Sequence, residues 1–267
     1  MLALLWVSGL LGVPGAGAAE VPEPVVERVV DAAGLVRSAG ALGSGWVAGP
    51  DTVVTNLHVA KAGSGDIYVD FSDGERIECY TAVANRDMDL AVLRCETGRR
   101  PSLRLDTTVP AASEEVAVVG YPGGEGPVTT HGVITGDRRE VRGIDTVGFT
   151  AGIAPGSSGS PVFDSDGSVL AVATFGGGLG VPAAELVPLL ETAAGYPASK
   201  AGAEWRLRAR RSIAMVVLVA PLSWFLARRY GRNRPVAAAA KWTTLAVLGV
   251  LVATQAQFAM SGPAHFI

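Results

Sequence analysis

Asp51-Thr-Val-Val-Thr-Asn-Leu-His58-Val-Ala60 is a short run rich in β-branched residues that ends on a histidine. Val and Thr are stiff at χ1 and favour strands over helices. Working outward, the same kind of run recurs at Ile67-Tyr-Val-Asp-Phe71 and Glu115-Val-Ala-Val-Val119, with Gly, Asp and Pro between runs. From about Leu42 to Val187 this spacing predicts an all-β sandwich or barrel. Alternating strand and helix patterns are missing there, which argues against a doubly wound sheet. Ahead of the strands, the apolar positions Val25, Val26, Val29, Val30 and Ala33 predict a helix over Glu23 to Ser38. A second short helix is expected from Ala183 to Ala194, closing the domain.

Charge divides the chain in two. All 25 Asp and Glu residues lie at or before Glu204, whereas 9 of the 22 Lys and Arg residues come after it. The two parts are therefore expected to meet different surroundings. The acidic part lacks the clustered cations that phosphate binding needs, so nucleic acid is excluded as a partner.

Both ends point to a membrane. Met1 to Val13 is apolar and runs into an Ala16-x-Ala18 site, the pattern of a secretory signal cleaved near Ala18. No Lys or Arg precedes the apolar run, so an uncleaved anchor is the alternative; either one exports the strand-rich region beyond it. Near the other end, Ser212 to Ala227 holds no charge and Trp242 to Met260 is a second apolar stretch. Four arginines precede the first span, and Arg228 to Lys241 carries five basic residues between the two. These read as two transmembrane helices around a basic cytoplasmic loop, the shorter one helped by snorkelling arginines. Cys79 and Cys95 fit an exported domain. A hairpin centred near Asp87 sets them opposite each other, as a disulfide or as two buried thiols.

Three blocks carry the chemistry. Val53-Val-Thr-Asn-Leu-His58 presents a histidine, Asp87-Met-Asp89-Leu-Ala-Val-Leu93 an aspartate ahead of an apolar strand, and Ala154-Pro-Gly156-Ser-Ser158-Gly-Ser160-Pro161 a serine in a Gly-rich turn. A serine hydroxyl needs an adjacent base to act as a nucleophile, and the base needs an acid to hold its tautomer. Asp87 competes with Asp89 for the acid, and Ser157 and Ser160 compete with Ser158. His131 and His265 have no such company and read as surface residues.

In their order, these blocks resemble the trypsin-like serine proteases of the HtrA/Deg and glutamyl-endopeptidase branches. Gly43-Ser-Gly45-Trp and Val119-Gly-Tyr-Pro-Gly-Gly add to the match, which runs over about residues 40 to 190. The wording around Gly43 to His58 and Phe175 to Leu186 looks closest to membrane-anchored MarP-like periplasmic proteases. The resemblance implies a chymotrypsin-like double β-barrel, with His58, Asp89 and Ser158 as a triad in the chymotrypsin order. It implies an oxyanion hole from the Gly156 and Ser158 amides. It also implies substrate contacts from Ala173, Thr174, Phe175 and Gly176. Ser160 departs from the commoner glycine at its place, as glutamyl endopeptidases do.

The expected organisation is a signal peptide or anchor over 1–18 and a trypsin-like protease domain over 20–194. A linker with a basic juxtamembrane segment comes next over 195–211, then helices over 212–227 and 242–260 flanking the loop 228–241. Protein or peptide substrates and membrane lipid are the expected partners. No PDZ module is expected after Ala194, and no metal or other cofactor, because the Gly-rich runs at Gly123 and Gly176 lack the Lys of a phosphate loop. The pocket regions place no acid at their base, which predicts cleavage after a small or medium apolar side chain. The competing class is a catalytically silent protease fold that binds unfolded segments.

Overall fold

The structure, a computed structural model, describes residues 20–60 and 66–203 together with Trp205 and Phe225. Twelve strands come after one helix. They are β1 (Ala33–Ser38), β2 (Ala41–Gly49), β3 (Thr52–Asn56), β4 (Ile67–Phe71), β5 (Arg76–Asn85) and β6 (Leu90–Cys95), then β7 (Glu115–Gly120), β8 (Val128–Val141), β9 (Ile144–Phe149), β10 (Pro161–Phe163), β11 (Val169–Phe175) and β12 (Leu179–Pro182). They close into two antiparallel barrels, in the orders β1-β2-β3-β6-β5-β4 and β10-β11-β12-β9-β8-β7. Closure leaves no unpaired strand edge in either half. This is the double six-stranded barrel of the chymotrypsin fold.

The helix expected over Glu23 to Ser38 is cut short. The first helix, α1, covers Glu23–Ala32 and buries Val26, Val29 and Ala32 on one stripe. The rest is strand β1, in which Gly34 pairs with Gly45 of β2 on one side and Phe71 of β4 on the other. Leu35 and Val36 prolong the apolar pattern of the helix, but the barrel needs a sixth strand, and β1 gains ladder hydrogen bonds along both edges. The tertiary demand overrides the local periodicity.

Period-2 burial explains why the strand after Asp89 reads as an unbroken apolar run. In β3 and β6, Val53, Ala91 and Leu93 face the interior of the first barrel. Their neighbours Val54, Leu90 and Val92 join a second core shared between barrels, with Val29, Trp46, Val119 and Phe163. Strands buried on both faces lose their polar alternation. The second barrel has its own interior, including Val116, Val118, Ile134, Phe149 and Leu170. Tyr121 stitches the halves together. Its hydroxyl donates to the Ala33 carbonyl at 3.1 Å and its backbone amide donates to Ser44 Oγ at 2.9 Å. Burial pushes the phenol up to about 12, so it stays a neutral donor.

The hairpin of β5 and β6 places Cys79 directly opposite Cys95, with Cα atoms 4.5 Å apart, and the two are joined as a disulfide. That separation is typical of a non-hydrogen-bonded antiparallel pair, whose side chains lie closest. After β12, a 3-10 turn over Ala183–Leu186 leads into the helix α3 (Val187–Ala194), the expected closing element. The chain beyond it stays on the first barrel: Tyr80 donates to the Pro197 carbonyl, and Lys200 pairs with Asp66 and Glu78.

A second unit spans Ala201–Ile267, and its described residues 201–203, Trp205 and Phe225 are helical. The expected signal segment 1–18, His265 and nearly all of the two expected membrane spans lie outside the described residues. Among the described residues no helix is long and apolar enough to cross a membrane.

Candidate active site

β3 ends at Asn56, and the chain turns into a single helical turn, α2 (Leu57–Ala60), that lifts His58 to the surface with half its side chain exposed. Across from it, the Asn85 side chain accepts hydrogen bonds from the amides of Asp87 and Met88, folding a tight turn ahead of β6. Asp89 closes that turn at φ +53°. This conformation aims its carboxylate back at the histidine. Oδ1 accepts from the His58 backbone amide at 2.9 Å, and Oδ2 lies 2.5 Å from His58 Nδ1. A carboxylate so placed holds Nδ1 as the protonated nitrogen and leaves Nε2 free to accept a proton. Asp87 is an exposed turn residue, so of the two candidate acids it is Asp89 that meets the histidine.

The serine loop is held through its peptide groups. The Pro155 carbonyl accepts from the Gly123 amide at 2.9 Å, and the Ser158 carbonyl from the Ser44 amide at 2.7 Å. The Gly156 carbonyl accepts from Ser44 Oγ at 2.8 Å. Gly159 donates to the Ala173 carbonyl at 2.8 Å, and Ala173 donates to the Ser160 carbonyl at 2.9 Å. In a planar trans peptide the N–H points opposite the C=O. Pinning the Pro155 carbonyl on Gly123 therefore turns the Gly156 N–H the other way. Among the described residues, neither the Gly156 nor the Ser158 amide donates to a protein acceptor. Gly156 has φ +103°, and a Cβ there would lie 2.5 Å from the Tyr121 carbonyl oxygen, so only glycine fits.

Burial sorts the three serines. Ser160 has no exposed surface, and its buried hydroxyl meets no partner among the described residues. Ser157 is buried, with Oγ accepting from the Ala154 amide at 3.3 Å. Ser158 is partly exposed. Gly43 of β2 lets this loop and the histidine turn close on each other: a Cβ at Gly43 would sit 2.4 Å from a Val59 methyl and 3.0 Å from the Ser158 carbonyl oxygen. Among the described residues no hydrogen bond joins the Ser158 hydroxyl to His58. Such contacts commonly tighten only once substrate is bound.

Of the expected substrate contacts, Ala173 and Thr174 are buried and Gly176 is exposed. Thr174 Oγ1 faces inward, accepting from Asn56 Nδ2 at 2.9 Å. Beside the serine loop lies a cleft of about 310 Å³, walled by Gly152, Ile153 and Ala154 on one side and by Val118, Pro122 and Val128 of the β7–β8 region on the other. Among the described residues no charged side chain lines it. His131 pairs instead with Glu20 at 3.3 Å. Among the described residues no three His, Cys, Asp or Glu side chains cluster as metal ligands would. The sequence reading missed Asn56, whose partners lie 33 and 118 positions away along the chain.

The trypsin-like peptidase domain family matches residues 43–172. The chain is 32% identical over 136 residues to a probable periplasmic DegP-like serine endoprotease of Halomonas elongata, covering 49% of this chain and 28% of that protein. It is also similar to the solved Rv3671c protease of M. tuberculosis. The active form matches at a TM-score of 0.62 and 26% identity over 76% of this chain and 98% of the other. An inactive form matches at 0.58 and 28% identity over 64% and 93%. The chain spans less than a third of the length of the DegP-like relatives it matches. The double barrel, the paired His58 and Asp89 and these likenesses together support an HtrA-related trypsin-like serine protease.

Proposed function

We propose that this protein is a serine endopeptidase that cleaves extracytoplasmic protein substrates by acyl transfer through His58, Asp89 and Ser158. The observation that carries the reading is the double grip of Asp89 on His58, at its backbone amide and at Nδ1. With Nδ1 so held, Nε2 takes the proton from the Ser158 hydroxyl as that oxygen attacks the scissile carbonyl. The Asp89 carboxylate stabilises the imidazolium that results, which then protonates the leaving amine. The oxyanion formed meets the outward Gly156 and Ser158 amides, and water releases the acyl group with His58 again as base. One such amide supplies about 3 kcal/mol of transition-state stabilisation.

The apolar cleft beside the loop supports cleavage next to a small or medium apolar side chain, because its described lining offers no counter-charge for Arg, Lys or Glu. The DegP-like relatives are described as periplasmic, which with the export-type N-terminus supports a catalytic domain outside the cytoplasm. The uncharged segments 212–227 and 242–260 would anchor it to the membrane.

Labelling with a fluorophosphonate tests the chemistry. The reading expects covalent label on the wild type and on Ser157→Ala and Ser160→Ala, and none on Ser158→Ala. An unlabelled wild-type protein would favour the silent binding fold instead. Peptide-library profiling tests the specificity, and a dominant Arg or Glu preference would refute the apolar reading.

A further inference from the structure

Strand β3 ends in an asparagine, which brings two amide hydrogens and a carbonyl oxygen to be satisfied. Asn56 has no exposed surface. Its Nδ2 donates to the Asp89 carbonyl oxygen at 2.9 Å and to Thr174 Oγ1 at 2.9 Å. The Thr174 hydroxyl passes its own hydrogen to the Val172 carbonyl at 2.9 Å, so the line runs from the first barrel into β11 of the second. Asn56 Oδ1, by contrast, is buried and meets no donor among the described residues. An apolar side chain at this place would leave no orphaned acceptor. The reason for an amide here must lie in what Nδ2 holds.

It holds the main chain of Asp89. A left-handed φ costs most residues with a Cβ, Asp less than most, and at Asp89, with φ +53°, the surroundings help hold it. The Asp89 carbonyl takes two hydrogen bonds, from the Leu57 amide at 2.9 Å and from Asn56 Nδ2. Both donors lie just before His58 in sequence. The peptide after Asp89 is thus fastened to the segment that carries the histidine, and the Asp89 carboxylate then reaches both the His58 backbone amide and Nδ1.

We propose that Asn56 is a positioning residue for the acid–base pair: its amide ties the Asp89 main chain to Thr174 of the second barrel and so keeps the carboxylate on His58. The proposal rests on the roles given to Asp89 and His58 above. It separates Asn56 from an ordinary packing residue, because the effect of losing it depends on whether Asp89 is there to be positioned.

The test is a double-mutant cycle read by fluorophosphonate acylation and by peptide kinetics on the full chain. Asn56→Leu, similar in volume and without the amide, is expected to lower the acylation rate and kcat about 30-fold, with KM within about two-fold of wild type. In an Asp89→Asn background the same substitution is expected to cost less than about two-fold, since the group it positions has lost its function. Thr174→Val removes the far acceptor and is expected to cost about three-fold; it carries the test if Asn56→Leu does not fold. Equal losses in both backgrounds, or wild-type rates in both Asn56→Leu and Thr174→Val, would overturn the proposal. Ser158→Ala run alongside keeps the two readings apart. Label persisting on it removes the triad itself, whereas label lost on it while Asn56→Leu reacts at the wild-type rate removes only the role of Asn56.

Discussion

In the first barrel the proposed acid–base pair is held by side chains, whereas in the second the serine loop is held almost wholly by peptide groups. Asp89 grips His58 through its carboxylate, and Asn56 reaches the Asp89 carbonyl through its side-chain amide. Across the cleft, the carbonyls of Pro155 and Ser157 are tied to the Gly123 and Ser160 amides, which turns the Gly156 and Ser158 N–H groups the other way. The difference matches the two tasks of the proposed reaction. Moving a proton requires groups that titrate, and only side chains provide them. Stabilising an oxyanion requires N–H donors, which the backbone has already; what it needs from the sequence is the freedom of a glycine and a fixed carbonyl on the other side. The first barrel should therefore be sensitive to side-chain chemistry and the second to backbone conformation.

Asp89→Asn is the sharpest way to break this contrast. It keeps the shape of the side chain but exchanges an acceptor for a donor at Nδ1, and should lower kcat about 10⁴-fold while leaving the melting curve close to wild type. Steady-state peptide kinetics would measure it. Gly156→Ala tests the other half. The added methyl must displace the loop from the Tyr121 carbonyl, and the loss of one oriented amide should cost about 10²- to 10³-fold in kcat. If Gly156→Ala were as mild as a surface substitution, the peptide-held half of the comparison would be wrong.

Smaller effects concern the frame. Cys79→Ser with Cys95→Ser opens the cross-strand link of β5 and β6, whose loop closes over a separation of 16 residues. The expected loss is about 3 kcal/mol of stability, seen as a lowered melting temperature, with kcat unchanged at room temperature. Asp70 is the smallest case. The Arg76 guanidinium, opposed by burial and aided by Arg37, holds the Asp70 carboxyl below the usual carboxylate value. That carboxylate joins β1, β4 and β5. A depressed folded pKa stabilises above the unfolded value of about 4, and the gain disappears as pH falls through the lower folded value. Asp70→Asn should thus be less stable than wild type at neutral pH and converge with it in acid, as urea melts across pH would report.

Much of the proposed site is legible in the linear chain because its residues sit at strand ends in short, recognisable blocks. His58 lies just past β3, Asp89 just ahead of β6, and Ser158 in a turn whose glycines announce unusual backbone. The competition between Asp87 and Asp89 was open in the residues themselves. The Asn85 turn sets Asp87 in solvent and Asp89 against the histidine, which supports Asp89. The three serines likewise differ by burial, a property of the assembled barrel.

The sequence by itself determined the strand runs, the chemical order of histidine, aspartate and serine, and the opposition of Cys79 and Cys95, since each of these depends on neighbours a few residues apart or on one hairpin. Only the tertiary structure decided that Ala33 to Ser38 leaves the helix to complete a barrel, and that Asn56 bonds both Asp89, 33 positions away, and Thr174, 118 positions away. Local pattern records which face of an element is apolar. It holds no information about which distant strand will supply the missing hydrogen bonds, and that is settled when the barrels close.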